Sequence, residues 1–544
     1  MNSTVKPETN SAGTIDPIAL SIFASRTMAI AEEMGAHLGR TALSANIRDR
    51  RDYSCALFDA SGELVAQATH IPVHLGSMAY AMQGLAGSRE WSEGDALILN
   101  DPYQGGTHLP DVTLIVPVFC ERQLLGFCAC RAHYADIGAG ETGSMGIATR
   151  LQDEGVLIAP SLLYRQGDYQ GQVLQPLLQR VRAPAQVHGD ARAQLSACRY
   201  GADRLRRWCE TLGVAGWRQR VAALQDYAER LSRAALVEIP TGRYHFEDVL
   251  DDDGCGHSDI PIRVAVTVAD GDLQIDFAGT SEQVEGNLNC PLSVTAAAVF
   301  YVVRCLLPAA TPLCAGCLRP VTFSAPAGSL LNATAPAAVA AGNVETSSRV
   351  VDVLLGALAT ALPRRIPAAS QGTMNNLAMA GDGWSYYETI AGGCGASAQG
   401  DGASAQHSHM TNTLNTPVEI LERLYPMRVN SYELRHGSGG DGDFRGGDGL
   451  VREYEFLAAA TIAVVSERRQ HGPWGLQGGD AGAVGENRLD DQLMPGKFET
   501  RVKAGQRLTI ATPGGGGYCV SGKLDNSDQR LTMRQNRAAV RSAS

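Results

Sequence analysis

The chain has 544 residues, 44 per cent hydrophobic and 19 per cent charged. That is enough for roughly two to four domains with a large core. A net charge of −11 and a pI near 5.6 argue against the basic face of a nucleic-acid binder, and no Lys or Arg run marks a membrane surface.

Residues 1–15 are polar and read as a flexible tail without an apolar signal core, and no apolar stretch reaches membrane-spanning length. A cytoplasmic protein is expected. Its 13 cysteines then read as buried free thiols.

Asp16-Pro17 opens the first expected helix, with Asp as N-cap and Pro in the first turn. Leu20, Phe23, Thr27, Ile30, Met34 and Leu38 follow at helical spacing. A β-rich stretch comes next: Tyr53 to Phe58, Ala96 to Asn100, Val112 to Phe119 and Leu124 to Cys130 are runs of strand length. Residues 190–236 read as helical, with a break at Gly213 to Gly216. Ile262 to Val268 and Leu273 to Phe277 predict a hairpin around Asp270-Gly271. Val294 to Leu307 and Thr346 to Leu362 predict helices stopped by Pro308 and Pro363. Thr416-Pro417-Val418-Glu419 reads as a capping box, and Pro513 to Gly517 as a tight turn. Gly392-Gly393 and Arg445-Gly446-Gly447 read as pocket lining or, for most of them, as fold-defining turns. The expected class is α+β, multi-domain, with a β-rich core of mixed sheets and a helical connector. Region 16–240 would hold a metal, region 241–520 would be a second α+β unit, and 521–544 a loose tail.

Histidine is scarce, with 12 in the chain, yet it gathers near carboxylates in one stretch. If the strands from Val112 and from Leu124 pair about the Glu121–Gln123 turn, paired positions sum to 244, since 111 + 133 = 244. Asp111 and His133 then stand side by side, with Cβ atoms roughly 5 Å apart. His108 can fold back to the same point through a Pro-containing turn. Two imidazoles and a carboxylate leave open positions, as a catalytic metal site requires. A one-residue slip would turn these side chains to the other face. Asp101 and Asp136 are runner-up ligands, or candidates for proton transfer or for orienting the histidines. His70 and His74 are further pocket candidates or packed loop residues. His407 and His409 could project to one side of an extended segment, or form a bonded loop. Cys314-Ala315-Gly316-Cys317 is a lone CxxC and reads as structural. No P-loop, dinucleotide fingerprint or GxSxG elbow is present.

Several long motifs occur in order: Arg50-Arg51-Asp52-Tyr53, His70-Ile71-Pro72-Val73-His74, Asn100-Asp101-Pro102-Tyr103, and Gly105-Gly106-Thr107-His108 continuing to Asp111. Further along come Gly342-Asn343-Val344-Glu345-Thr346, Tyr387-Glu388-Thr389 and Met410-Thr411-Asn412-Thr413. Over about residues 16–518 the chain resembles the hydantoinase B family. The resemblance implies one divalent metal ion (Zn, Mn or Fe) on His108, Asp111 and His133. It places Glu388 and Asn412 among possible pocket residues. It also implies a hydantoinase A-type ATP-binding subunit carrying ATP-Mg, in a heterotetramer with two copies of each chain. The implied reaction is hydrolysis of a small cyclic amide (hydantoin, 5-oxoproline or lactam) after phosphorylation at the partner. A subunit of an acetone-type carboxylase and a non-catalytic scaffold are the alternatives.

Overall fold

The computed structural model describes residues 15–68 and 70–519. The tails expected at the two ends therefore lie outside it, apart from residue 15.

The first helix, α1 (Pro17–Thr41), is capped by Asp16, whose carboxylate accepts from Ala19 N at 3.2 Å. Phe23, Thr27, Ile30, Met34 and Leu38 are buried along it, as the spacing predicts, while Leu20 is half-buried. A single-turn helix, α2 (Ala45–Arg48), leads into an antiparallel seven-stranded sheet. Its strands are β1 (Tyr53–Asp59), β2 (Leu64–Gln67), β3 (Ala96–Leu99), β4 (Asp111–Cys120), β5 (Gln123–His133), β6 (Ser161–Arg165) and β7 (Asp168–Tyr169). They run in the order β2-β1-β5-β4-β3-β6-β7. The long strands β4 and β5 lie in the middle, which buries their side chains on both faces.

Helix α3 (Pro72–Leu85) covers one face. The sequence reading missed it. Its buried positions surround the axis, so it lacks the one-sided stripe that marks a helix in sequence. After the short α4 (Gln175–Leu178), the expected connector forms two helices, α5 (Pro184–Leu212) and α6 (Val214–Leu236). They break at Gly213, which has a φ of 71°. Helices α1 and α5 pack on the other face of the sheet.

A four-stranded sheet follows, ordered β11-β10-β9-β8. It comprises β8 (Gly242–Asp252), β9 (Ser258–Ala269), β10 (Asp272–Asp276) and β11 (Val321–Ser324), with β10 and β11 parallel. The predicted β9–β10 hairpin turns at Asp270 and Gly271, with φ of 50° and 80°. Helices α7 (Leu292–Leu306) and α8 (Ser347–Ala359) pack together, α8 also covering β8 and β9. Residues Gly342–Thr346 coil as a π-turn into α8, so that helix begins more irregularly than expected.

The last core lies between two sheets. One contains β12 (Asn376–Gly381), β13 (Trp384–Glu388), β16 (Ala460–Val465) and β19 (Lys497–Val502). The other contains β14 (Met427–Arg435), β15 (Gly449–Phe456), β17 (Glu486–Leu489), β18 (Gln492–Met494) and β20 (Arg507–Ala511). Helix α9 (Val418–Leu424) has Pro417 at its N-cap and no side-chain cap bond, so the expected capping box does not form. Proline supplies no side-chain acceptor.

Pro513 to Gly517 is not a tight turn. None of its glycines has a positive φ, and the segment threads between other extended backbones. Gly515 N donates to Gly447 O at 2.9 Å, Gly440 N donates to Gly515 O at 2.9 Å, and Gly516 N donates to Ala369 O at 2.8 Å. A Cβ on Gly515 would lie 2.0 Å from Cys394 O. Gly393, Gly446 and Gly447 belong to the same packed set, each within 2.1 Å of a neighbouring carbonyl by the same measure. These glycines permit close approach rather than chain reversal.

All 13 cysteines are free thiols. Cys314 and Cys317 are buried, and the Cys317 thiol donates to Pro312 O at 2.9 Å.

Candidate metal centre

The centre starts with the β4–β5 hairpin. Its register pairs Asp111 with His133, the pairing that the strand patterns predict. The route differs from the expected turn. Glu121 and Arg122 make a two-residue turn with φ of 50° and 62°, giving paired positions that sum to 243. A bulge between Val118 and Phe119 then restores 244 for the rest of the ladder.

His108 reaches the same point through a turn in which Asp111 N donates to His108 O at 3.1 Å. Asn100 fixes that turn: its Nδ2 donates to Leu109 O at 2.7 Å and its Oδ1 accepts from Ile158 N at 2.6 Å. His74 enters from the first turn of α3.

The result is a convergence on one oxygen. Asp111 Oδ1 lies 3.2 Å from His74 Nε2, 3.2 Å from His108 Nε2 and 3.5 Å from His133 Nδ1. None of these contacts has hydrogen-bond geometry, so Oδ1 is buried without a hydrogen-bond partner, as is His133 Nε2. The other oxygen, Oδ2, accepts from Thr107 Oγ1 at 2.6 Å and from Asn343 Nδ2 at 3.3 Å. His108 and Asp111 have no exposure, and His133 only 3 per cent. Among the described residues, His108, Asp111 and His133 form a group able to present three ligand atoms to one ion.

Burial would raise the Asp111 carboxyl, but His74 and His108 outweigh it and hold the group well below the usual carboxylate range. Burial pushes His133 below the ordinary imidazole value against the pull of Asp111. A carboxylate and imidazole nitrogens converging on one point make the donor set that a divalent ion takes once the rings release their protons to it. The bare Oδ1 and the facing ring nitrogens therefore fit such an ion.

A surrounding layer orients the ligands. His108 Nδ1 donates to Ala340 O at 3.2 Å, so in the neutral ring Nε2 carries the lone pair that faces Asp111. Glu154 holds the Ala340 turn, its Oε1 accepting from Val339 N at 2.8 Å and Ala340 N at 2.7 Å. Tyr387 stacks on His133 with centroids 4.5 Å apart and planes 10° apart. Asn46 Nδ2 donates to His133 O at 2.7 Å, and Asp52 Oδ1 lies 4.0 Å from His74 Nε2.

The remaining candidates lie elsewhere. Asp101 caps a short turn, accepting from Tyr103 N at 2.9 Å and Gln104 Nε2 at 2.6 Å. Asp136 accepts from Gly138 N and Arg182 N, both at 2.9 Å. Both carboxylates hold loops. His70 stacks edge-on to Tyr53 at 5.1 Å and accepts from Cys55 N. Burial pushes it down to about 4. His409 pairs with Asp352 at 3.1 Å, whereas His407 is packed near Arg50 with both ring nitrogens bare. The pair does not share partners. Glu388 points to the face of β13 opposite Tyr387 and pairs with Arg452 at 3.3 Å. Asn412 is exposed, its Nδ2 3.4 Å from His70 O.

Sequence reasoning missed Asn343, Asp52, Tyr387 and Glu154 as neighbours of the centre. The first three lie in the quoted motifs, but a motif fixes neither facing nor distance.

The profile of the Hydantoinase B/oxoprolinase family matches residues 16–520. The chain belongs to the hydantoinase B/oxoprolinase family. It is 39 per cent identical to 5-oxoprolinase 1 of Arabidopsis thaliana over 94 per cent of this chain, but spans only 43 per cent of that protein's length. It is 33 per cent identical to a putative B-type subunit of a D-/L-hydantoinase from a Pseudomonas species (strain NS671), covering 93 per cent of this chain and 90 per cent of that one. Among solved structures, it resembles an ATP-dependent caprolactamase from Pseudomonas jessenii at 29 per cent identity and a TM-score of 0.86, covering 93 per cent of this chain and 91 per cent of the other. Family membership thus accords with the α+β architecture of packed sheets and helices described above.

Proposed function

We propose that the chain is the metal-binding, ring-opening part of an ATP-dependent cyclic amide hydrolase. It acts on a hydantoin, 5-oxoproline or lactam activated by phosphorylation at a hydantoinase A-type partner. One observation carries the reading: three imidazole nitrogens face a bare, buried carboxylate oxygen. The relatives support the substrate class, being named for 5-oxoproline, hydantoin and caprolactam. The Pseudomonas relative of similar length is named as one subunit of a hydantoinase, which supports a separate partner.

His108, Asp111 and His133 would hold a zinc, manganese or iron ion. When bound, such an ion polarises a carbonyl and promotes ionisation of water. The chain's own residues do the rest. Asp111 stays anionic, and Ala340 O sets the His108 tautomer. Tyr387 holds the His133 ring, and burial excludes bulk water. His74, between Asp111 and Asp52, is placed to take a proton from the centre, a better position than those of Asp101 and Asp136.

Elemental analysis of the purified chain beside a His108→Ala/His133→Ala variant tests this. About one divalent ion per chain, lost in the variant, is expected for a three-ligand site. Equal metal in both proteins would refute it. With the partner and ATP, the wild-type chain should open at least one of 5-oxoproline, hydantoin and caprolactam.

A further inference from the structure

Asn343 touches the centre in an unusual way. Its Nδ2 lies 3.1 Å from His108 Nε2 and 3.3 Å from Asp111 Oδ2, while its Oδ1 is buried without a donor. The amide orientation is fixed by its surroundings. Asp111 Oδ2 is an acceptor, so the group facing it is the NH₂, and its second N–H points to His108 Nε2, which accepts in the neutral ring whose Nδ1 donates to Ala340 O.

The backbone holds this residue in place. It occupies the π-turn Gly342–Thr346, and such turns recur at functional sites. Gly342 packs so closely that a Cβ there would lie 1.9 Å from Asn289 O. Asn343 O accepts from Ser347 Oγ at 2.7 Å. The side chain is 2 per cent exposed.

His108 Nε2 has one lone pair. It serves either the Asn343 amide or a cation, never both. We infer that Asn343 is a catalytic hydrogen-bond donor that His108 holds in reserve. It caps the lone pair whenever no cation takes it. When that lone pair goes to a cation, an N–H of Asn343 is freed beside Asp111 to donate to the carbonyl oxygen of the cyclic amide. That oxygen gains negative charge as the ring opens, and a preorganised amide donor stabilises it. No bond to Asn343 forms or breaks. The inference rests on the metal reading above.

The test compares Asn343→Ala and Asn343→Asp with wild type and His108→Ala, all purified with the ATP-binding partner. Manganese or zinc affinity is measured by chelator competition. Turnover is measured on the best substrate among 5-oxoproline, hydantoin and caprolactam. Asn343→Ala should bind metal about fivefold more tightly, since one competing hydrogen bond is gone. The isosteric Asn343→Asp should keep its metal and the packing of the π-turn. In both, kcat should fall on the order of 10²-fold or more with little change in KM. A kcat near wild type in either variant, or weaker metal binding by Asn343→Ala, overturns the inference alone. A wild-type chain that binds no ion, or keeps it in His108→Ala, overturns the metal reading and this inference together.

Discussion

At the scale of single residues, the centre depends on buried carboxyls in different states. Asp111 is held ionised by imidazoles, whereas burial pushes Glu154 up to about 8 against the pull of two backbone N–H donors. Glu345, in the same π-turn as Asn343, is pushed up to about 7, again mainly by burial. A carboxyl with a raised folded-state pKa favours the fold only while protonated. For Glu154 that contribution is complete below the ordinary value of 4.5 and is lost as pH rises through about 8. Glu154→Gln keeps the oxygen that receives Val339 N and Ala340 N and removes the titration. Thermal melts should therefore show wild type losing more stability than Glu154→Gln between pH 5 and 8. Parallel curves would show that Glu154 does not titrate there. For Asp111 the sign is opposite: its stabilising ionised form is lost only in strong acid.

At the scale of elements, the β4–β5 hairpin shows how far the sequence can be read. Two apolar runs and a short polar break were enough to place Asp111 opposite His133. The bulge that makes this register possible left no trace, because an extra residue in an apolar run looks like any other. Glu121 and Arg122 both carry positive φ, where Asn-Gly is at ease. Replacing them with Asn-Gly should stabilise the chain by roughly 1 kcal/mol, read from denaturant midpoints, without altering metal content. A loss of metal would show that the turn, not the bulge, sets the register. His74 is hard to place from sequence because the buried positions of α3 surround its axis and leave no one-sided stripe. Asn343, Glu154 and Tyr387 lie far along the chain from His108, and only tertiary packing brings them to it.

At the scale of the whole molecule, one buried cluster runs from Phe23 to Val465, so elements from both halves of the chain share a core. The centre itself draws on residues from Asn46 to Tyr387. The C-terminal glycine segments knit this assembly by backbone contact, and so tolerate no side chain where they cross. Gly515→Ala should lower stability by about 3 kcal/mol in denaturant titrations. Gly400→Ala, with nothing within 4 Å of the added carbon, should change it by less than about 0.5 kcal/mol. Equal costs would mean that the crossing segments relax. Composition revealed the glycines but not their use, since turns and close crossings favour the same residue.

The burial of His108, Asp111 and His133 has a kinetic consequence. A reagent outside cannot seize what it cannot touch, so the chain must first breathe. Stripping metal from the protein with a chelator should then proceed at a rate set by that opening. Above a modest concentration, adding more chelator should make extraction no faster.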